Sequence, residues 1–260
     1  MTDAQWSPGP RAGDADEFLP VLDIVEPVRQ RRLTVFFRLL LLIPHAVVLL
    51  FLEIAAFFTG VFGWFAALAL ARLPGPVYRF LAQVLAYRTR VGASAMLLID
   101  SYPPFTLAQP SHHPVRIDVR PTRLNRLAVF FRLVLVIPAA IVRGLAMSGW
   151  SVLAVLWWLI TLILGRLPRP LFEATAATLR YETRVSAYFS LLSPAYPKGL
   201  FGEDALSVPP GQPRTATRPL VMSTAGKALL VLFLVLGLIG GVTTSVTRSS
   251  PDGSGYSMRP

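Results

Sequence analysis

The sequence predicts an all-α integral membrane protein: two tandem repeats, each an apolar helical hairpin plus an interfacial amphipathic helix, followed by one C-terminal transmembrane helix. Three observations predict it. The chain repeats itself: Leu-Thr-Val-Phe-Phe-Arg-Leu-Leu-Leu-Leu-Ile-Pro at 33–44 returns at 127–138 as Leu-Ala-Val-Phe-Phe-Arg-Leu-Val-Leu-Val-Ile-Pro. Arg72-Leu73-Pro74 returns as Arg166-Leu167-Pro168 and Tyr102-Pro103 as Tyr196-Pro197, always at an offset of 94, so the copies align without a gap. The composition is 53% hydrophobic against 15% charged, with mean hydropathy +0.55. So little charge cannot cover a water-facing surface, and lipid must act as part of the solvent. Finally, the net charge of +11 is carried by arginines that flank the apolar runs, which points to anionic lipid headgroups rather than to nucleic acid.

Along the chain, residues 1–20 read as a disordered arm, polar and without a signal-peptide pattern. The first repeat covers 21–107, a linker 108–114, the second repeat 115–201 and a second linker 202–222. A transmembrane helix at 223–246 and a polar tail at 247–260 complete it. Each repeat opens on a short stretch (21–28 and 115–121) of alternating apolar and polar residues ending in Pro27 or Pro121, a period-two pattern that suits an extended segment.

The apolar run from 33 to 71 would measure about 58 Å as one helix, twice the ~30 Å hydrocarbon core, so it is expected to fold back. Arg143, Gly144, Ser148 and Gly149 interrupt the second run and map onto 49–55, around Glu53. This places spans at 33–51 and 55–72, then 127–143 and 149–166, with a re-entrant hairpin as the alternative. After Pro74 and Pro76, Val77, Phe80, Leu81, Val84 and Leu85 follow helical spacing with Arg79, Gln83, Arg88 and Arg90 between them, and 171–193 repeats the pattern. Several arginines make a full crossing costly, so these helices are expected to lie in the interface. Arginines bracket both hairpins on one side, which puts the N-terminus and both hairpin bases in the cytoplasm and the final tail outside.

The set Phe-Phe-Arg…Ile-Pro, Arg-Leu-Pro, Arg-Val-Gly-Ala and Asp100-Ser101-Tyr102-Pro103-Pro104-Phe105 resembles the bacterial membrane-protein family catalogued as domain of unknown function 4389. The first repeat keeps the Asp-x-Tyr-Pro-Pro-Phe ending but has Ser94 where the family has tyrosine. The second keeps Ala187-Tyr188 but ends in Ser193-Pro194-Ala195-Tyr196-Pro197-Lys198. The resemblance implies membrane location and two units, and it implies no activity.

Arg38 and Arg132 sit a turn or more inside apolar runs, where snorkelling to the headgroups is expected. With Arg90 and Arg184 they recur in both copies, and the arginine fork suits the phosphate of an anionic lipid. Tyr102, Phe105 and Tyr196 suit anchoring at headgroup level. Gly237 and Gly241 form a GxxxG, a candidate helix-dimer face. Glu26/Arg120, Arg79/Glu173 and Arg88/Glu182 carry opposite charge at equivalent positions; the last two pairs, nine residues apart, cannot share one interface, and drift on a solvated face is the expected explanation. Glu53 is expected as a solvated loop carboxylate, and His45 lacks the neighbours of a metal ligand.

No cysteine is present, which excludes disulfides and thiolate chemistry. No Ser/His/Asp set, phosphate-cradling loop or paired carboxylate is visible, so no cofactor, metal or catalytic residue is expected. The expected function is non-enzymatic: a structural membrane component that binds lipid, a protein partner or a second copy, with no role in nucleic-acid binding. A small transporter built on parallel internal repeats is the alternative.

Overall fold

The computed structural model describes residues 19–24, 29–110, 113–203 and 215–248, with side chains of the last helix described up to 241. Most of the N-terminal arm, Glu26, Pro27, His112, residues 204–214 of the second linker and 249–260 of the tail lie outside the described residues. The described residues form seven helices and two short strands: β1 (Val21–Ile24), α1 (Arg32–Leu70), α2 (Gly75–Ala95), β2 (Val115–Asp118), α3 (Arg126–Phe130), α4 (Arg132–Val152), α5 (Ala154–Leu164), α6 (Arg169–Phe189) and α7 (Thr224–Arg248).

The expected turn around Glu53 does not exist. α1 is one continuous 39-residue helix running straight through Glu53. Its mate in the second repeat occupies the same positions shifted by 94, from Arg126 to Leu164, interrupted only at Phe131 and Leu153. Those residues have φ near −85° and −97° with ψ near zero, so each inserts a tighter turn and the chain continues as a helix. The Gly144–Gly149 stretch suggests a turn because glycine and serine punctuate soluble helices. Here the residue at 149 marks a close approach to another helix, which is glycine's commoner use in an apolar helix.

Both long helices end in a left-handed residue, Ala71 (φ 56°) and Gly165 (φ 64°), with Pro74 and Pro168 three residues on. α2 and α6 then begin at Gly75-Pro76 and Arg169-Pro170, proline sitting where its missing N–H costs nothing. They turn back along their own long helices: Val77 lies against Gly63, Tyr87 against His45, and the α2 C-terminus against Arg38. The hairpin of each repeat is therefore α1 with α2, and the α3–α5 run with α6.

The two repeats meet each other at equivalent residues. Trp64 Nε1 donates to the Val129 carbonyl (3.0 Å) and Trp158 Nε1 to the Val35 carbonyl (2.8 Å). Leu124 N donates to Ala71 O and Gln30 N to Gly165 O, both at 2.8 Å. Arg126 reaches Ala69 O (2.9 Å) and Arg32 reaches Ile163 O (3.1 Å). Each pair of bonds is one bond repeated at an offset of 94, which requires a local two-fold axis. The long helices consequently run antiparallel and touch at both ends. On the axis, Thr89 Oγ1 lies 3.3 Å from Thr183 Oγ1, its own equivalent. β1 and β2, also equivalents, pair antiparallel from Val21↔Asp118 to Ile24↔Val115. The two period-two segments are thus a ribbon, so the fold is not purely helical.

The elements stack along that axis in three layers. At ~100° per residue, Tyr78, Ala82 and Ala86 of α2 share one face, and Tyr87 and Val91 lie nearly opposite. The first set lines a concavity with Ile117 and Val119 beside the ribbon, and the second packs with Leu42 of α1. The order is therefore ribbon, then α2 with α6, then the long helices, which α7 extends by packing antiparallel to α4.

α6 departs most from expectation. From Leu171 to Tyr188 every residue is buried, including Glu173, Arg180, Glu182 and Arg184. It packs against α2, α4, α7 and β1, so it is a central element and does not lie on a surface. Meanwhile Phe36, Phe51, Phe57, Phe58, Phe62 and many leucines of the long helices are exposed. Polar side chains are inside and large apolar ones outside, which is the reverse of a water-soluble domain.

Candidate functional site

The seam where the repeats meet carries a line of four alternating charges. Glu53 of α1 pairs with Arg88 of α2 (3.3 Å), Arg88 with Glu182 of α6 (2.7 Å) and Glu182 with Arg143 of α4 (3.3 Å). Glu182 is nearly buried, while Glu53, Arg88 and Arg143 are partly exposed. Each long helix contributes one charge at mid-length. Three expectations are corrected here. Glu53 is not a loop carboxylate, Arg143 is not at a hairpin tip, and Arg88/Glu182 is an ion pair rather than drift. Residues on a two-fold axis meet their own equivalents, so two identical arginines there would repel. A reversal of charge in one copy removes that repulsion and forms a bond. The geometric argument that only one of the two reversed pairs can form holds: Glu173 instead binds Arg169 (3.1 Å) and the backbone and hydroxyl of Ser223 (2.8 and 2.6 Å).

Arg38 and Arg132 turn inward instead of snorkelling. Arg38 Nη1 donates to the carbonyls of Ser94 (2.8 Å) and Ile99 (2.6 Å), with Asp100 at 3.6 Å. Arg132 donates to Tyr188 O (2.6 Å) and Ser193 O and lies 3.9 Å from the Tyr188 ring centroid. The accepting residues are again equivalents: Ser94 and Tyr188 lie in the last turn of α2 and α6, where the helix carries negative dipole charge, and Ile99 and Ser193 lie four residues past the helix ends. Each helix ends there in a left-handed leucine, Leu97 or Leu191, both at φ 63°. The arginine of the repeated Phe-Phe-Arg motif is thus a clamp on the end of the next helix. Arg90 and Arg184 tie down the chain that follows: Arg90 binds Thr106 O (2.5 Å) and Ala108 O (2.9 Å), and Arg184 binds Lys198 O (2.8 Å) and Glu203. All four guanidinium groups, expected at lipid phosphates, are directed at protein oxygens.

Beside Arg184, burial and then the like charge of Arg184 lower the Arg180 pKa to about 10 against the opposing pull of Glu203. Arg180 therefore stays charged at neutral pH and pairs with Glu203 at 3.3 Å.

Tyr102 and Phe105 are partly exposed and close over a histidine. His45 is fully buried, its Nδ1 2.6 Å from the Tyr87 hydroxyl and its ring stacked on Phe105 at 4.0 Å. Tyr196 packs on Tyr188 at 5.7 Å in the second repeat, where Ala139 replaces the histidine. Sequence reasoning missed this box; the signal was that His45 and the aromatic ending Tyr102…Phe105 belong to the same copy.

Gly237 faces the same chain. A Cβ there would overlap the backbone of Leu145, and one at Gly149 would overlap the carbonyl of Phe233. The GxxxG position expected to form a dimer face is thus used within the chain by the α4–α7 crossing, while a Cβ at Gly241 would meet nothing within 4 Å.

These features define a two-fold repeat domain whose recurrent arginines are structural clamps and whose described residues include three helices long and apolar enough to cross a membrane: Arg32–Leu70, Arg132–Val152 and Thr224–Gly241. The chain belongs to the family described as Domain of unknown function (DUF4389), which matches twice in tandem, over residues 32–106 and 126–200. Both matches begin at the long helix and end among the residues clamped by Arg90 or Arg184, so the ribbon and α7 fall outside them. No match was found among curated proteins or among solved structures.

Proposed function

We propose that the protein is a non-enzymatic structural component of the cell membrane, seated in the cytoplasmic leaflet with its two-fold axis perpendicular to the bilayer. The observation that carries this reading is the order of the three layers. Crossing the bilayer, the expectation drawn from the sequence, would stand α1 upright and bring the ribbon to mid-depth. There the outward-facing Asp23, Arg116 and Asp118 would meet hydrocarbon, and a charged side chain at that depth costs about 2.5–3.5 kcal/mol. A 39-residue helix also measures about 58 Å, far beyond the ~30 Å core.

Laid flat, the same molecule meets each solvent with matching chemistry. The long helices and α7 put their exposed phenylalanines and leucines into acyl chains. α2, α6 and the clamping arginines sit at headgroup depth, and the ribbon and N-terminus face the cytoplasm. This keeps both repeats on one leaflet, in keeping with the arginines that bracket both repeats. The apolar layer makes the attachment integral. In membranes washed at alkaline pH the chain is expected to remain in the pellet and to be released only by detergent; release by the alkaline wash would refute the seat.

A further inference from the structure

The two repeats are not equally finished. On the second, the segment from Thr215 to the start of α7 runs from β1 to α6: Thr217 Oγ1 accepts from Ile24 N (2.7 Å), and Glu173 receives the N–H and hydroxyl of Ser223. Gly226 lies so close to Glu173 that a Cβ would come within 2.7 Å of its Oε2. From there α7 runs along α4 past Gly149 to Leu145. Applying the 94-residue offset, the same path on the first repeat starts at Arg79, the equivalent of Glu173, and runs along α1 past Ala55 to Phe51. Among the described residues no part of the chain covers it.

At its start lies a cavity of about 240 Å³ lined by Tyr78, Arg79, Gln83 and Asp118 among others. The Tyr78 hydroxyl is buried there without a hydrogen-bond partner, and Arg79 makes no ion pair or hydrogen bond with any described residue. Burial, and then Asp118, push the Tyr78 phenol up to about 12, so it remains a donor. The charge of Asp118 is offset by Arg120 at 3.3 Å.

We propose that a phospholipid of the surrounding leaflet occupies on the first repeat the path that α7 takes on the second, its phosphate between Arg79 and the Tyr78 hydroxyl and one acyl chain along α1 past Ala55. Two substitutions between the copies choose lipid over a helix. Glu173 caps the amide end of α7, whereas Arg79 repels a helix N-terminus and attracts an anion. Gly149 admits the α7 backbone, whereas Ala55 and the exposed Phe51 and Phe58 hold a backbone away yet offer apolar surface to a flexible chain. The path is also of acyl-chain length: Ser223 to Phe233 is ten residues, or about 15 Å of helix.

The site rests on the membrane seat proposed above, so the test separates the two. Full-length protein is extracted, delipidated in detergent and titrated with phosphatidylglycerol, with diacylglycerol and with inorganic phosphate, and bound lipid is counted by native mass spectrometry. Wild type is expected to bind one phosphatidylglycerol per chain. Arg79→Glu, which restores the charge found at Glu173, is expected to bind at least tenfold more weakly while staying in the membrane fraction with unchanged helix content. Arg79→Lys is expected to retain most of the binding. Equal affinity of wild type and Arg79→Glu for phosphatidylglycerol would overturn the proposal. So would diacylglycerol binding as tightly, which removes the phosphate, or inorganic phosphate competing at equal affinity, which removes the acyl chain. Loss of Arg79→Glu from the membrane fraction would count against the proposal too, because the lipid would then be part of the seat rather than a guest on it.

Discussion

Glu182→Gln is expected to lower stability by about 2 kcal/mol, because it removes the acid that bridges Arg88 and Arg143. Breaking a fully buried pair costs ~3–5 kcal/mol. Arg88 and Arg143 are 41% and 36% exposed, so solvent screens part of that repulsion and the lower figure applies. The more telling variants are reversals. Exchanging only the middle pair, Arg88→Glu with Glu182→Arg, preserves their mutual attraction. It also sets a carboxylate at position 88 against Glu53 and a guanidinium at position 182 against Arg143. That double variant is expected to be less stable than Glu182→Gln. Reversing all four charges restores the alternation and is expected to recover most of the loss. Thermal unfolding in detergent reads each value, and a middle exchange that behaves like wild type would show that the four charges do not act as one line.

Gly149→Val is expected to be the most damaging single substitution, at about 3 kcal/mol or more. The clash is backbone against backbone, since a Cβ at 149 would overlap the Phe233 carbonyl. No side chain can rotate away, so α7 must leave α4. Phe233, fully buried and 6.1 Å from the Trp157 ring, would then lose its packing, a loss of van der Waals contact between helices. Gly237→Ile strikes the same crossing from the other side at Leu145, so the pair should cost less than the sum of its members. Gly144→Ala, where a Cβ meets nothing within 4 Å, is the control and should be neutral or slightly stabilising. Thermal unfolding measures the loss, and sizing in detergent should show an unchanged oligomeric state. If Gly237→Ile instead leaves stability intact and dissociates an oligomer, that glycine works between chains.

The repeat, its offset and its helical content were legible because periodicity and self-similarity are properties of the residues themselves. The proline-opened starts of α2 and α6 were legible for the same reason, as were the two extended segments. The continuous α1 was not legible. A length argument that assumes crossing demands a turn, and Glu53 and the glycines of α4 offered one, whereas a helix lying along the leaflet needs none. Nor was the two-fold relation visible, since tandem copies of one sequence fit a translation as well as a rotation. Its one trace was Arg88 against Glu182, where the axis makes equivalent residues touch and only opposite charges can do so comfortably. The inward turn of Arg38, Arg90, Arg132 and Arg184 was hidden for another reason. An arginine near a membrane run suits a phosphate and a backbone carbonyl equally well, and only the path of the chain at and beyond the α2 and α6 termini distinguishes them.

The central claim is that each long helix lies along one leaflet, and the chain's lack of cysteine permits a direct test. Arg31 and Arg72 flank α1 and are both exposed, so Arg31→Cys and Arg72→Cys, made one at a time, report the two ends separately. A membrane-impermeant maleimide added to intact cells should label neither, and added after lysis should label both. Labelling of one end from outside and the other only after lysis would mean that α1 crosses the bilayer, and the account would be wrong.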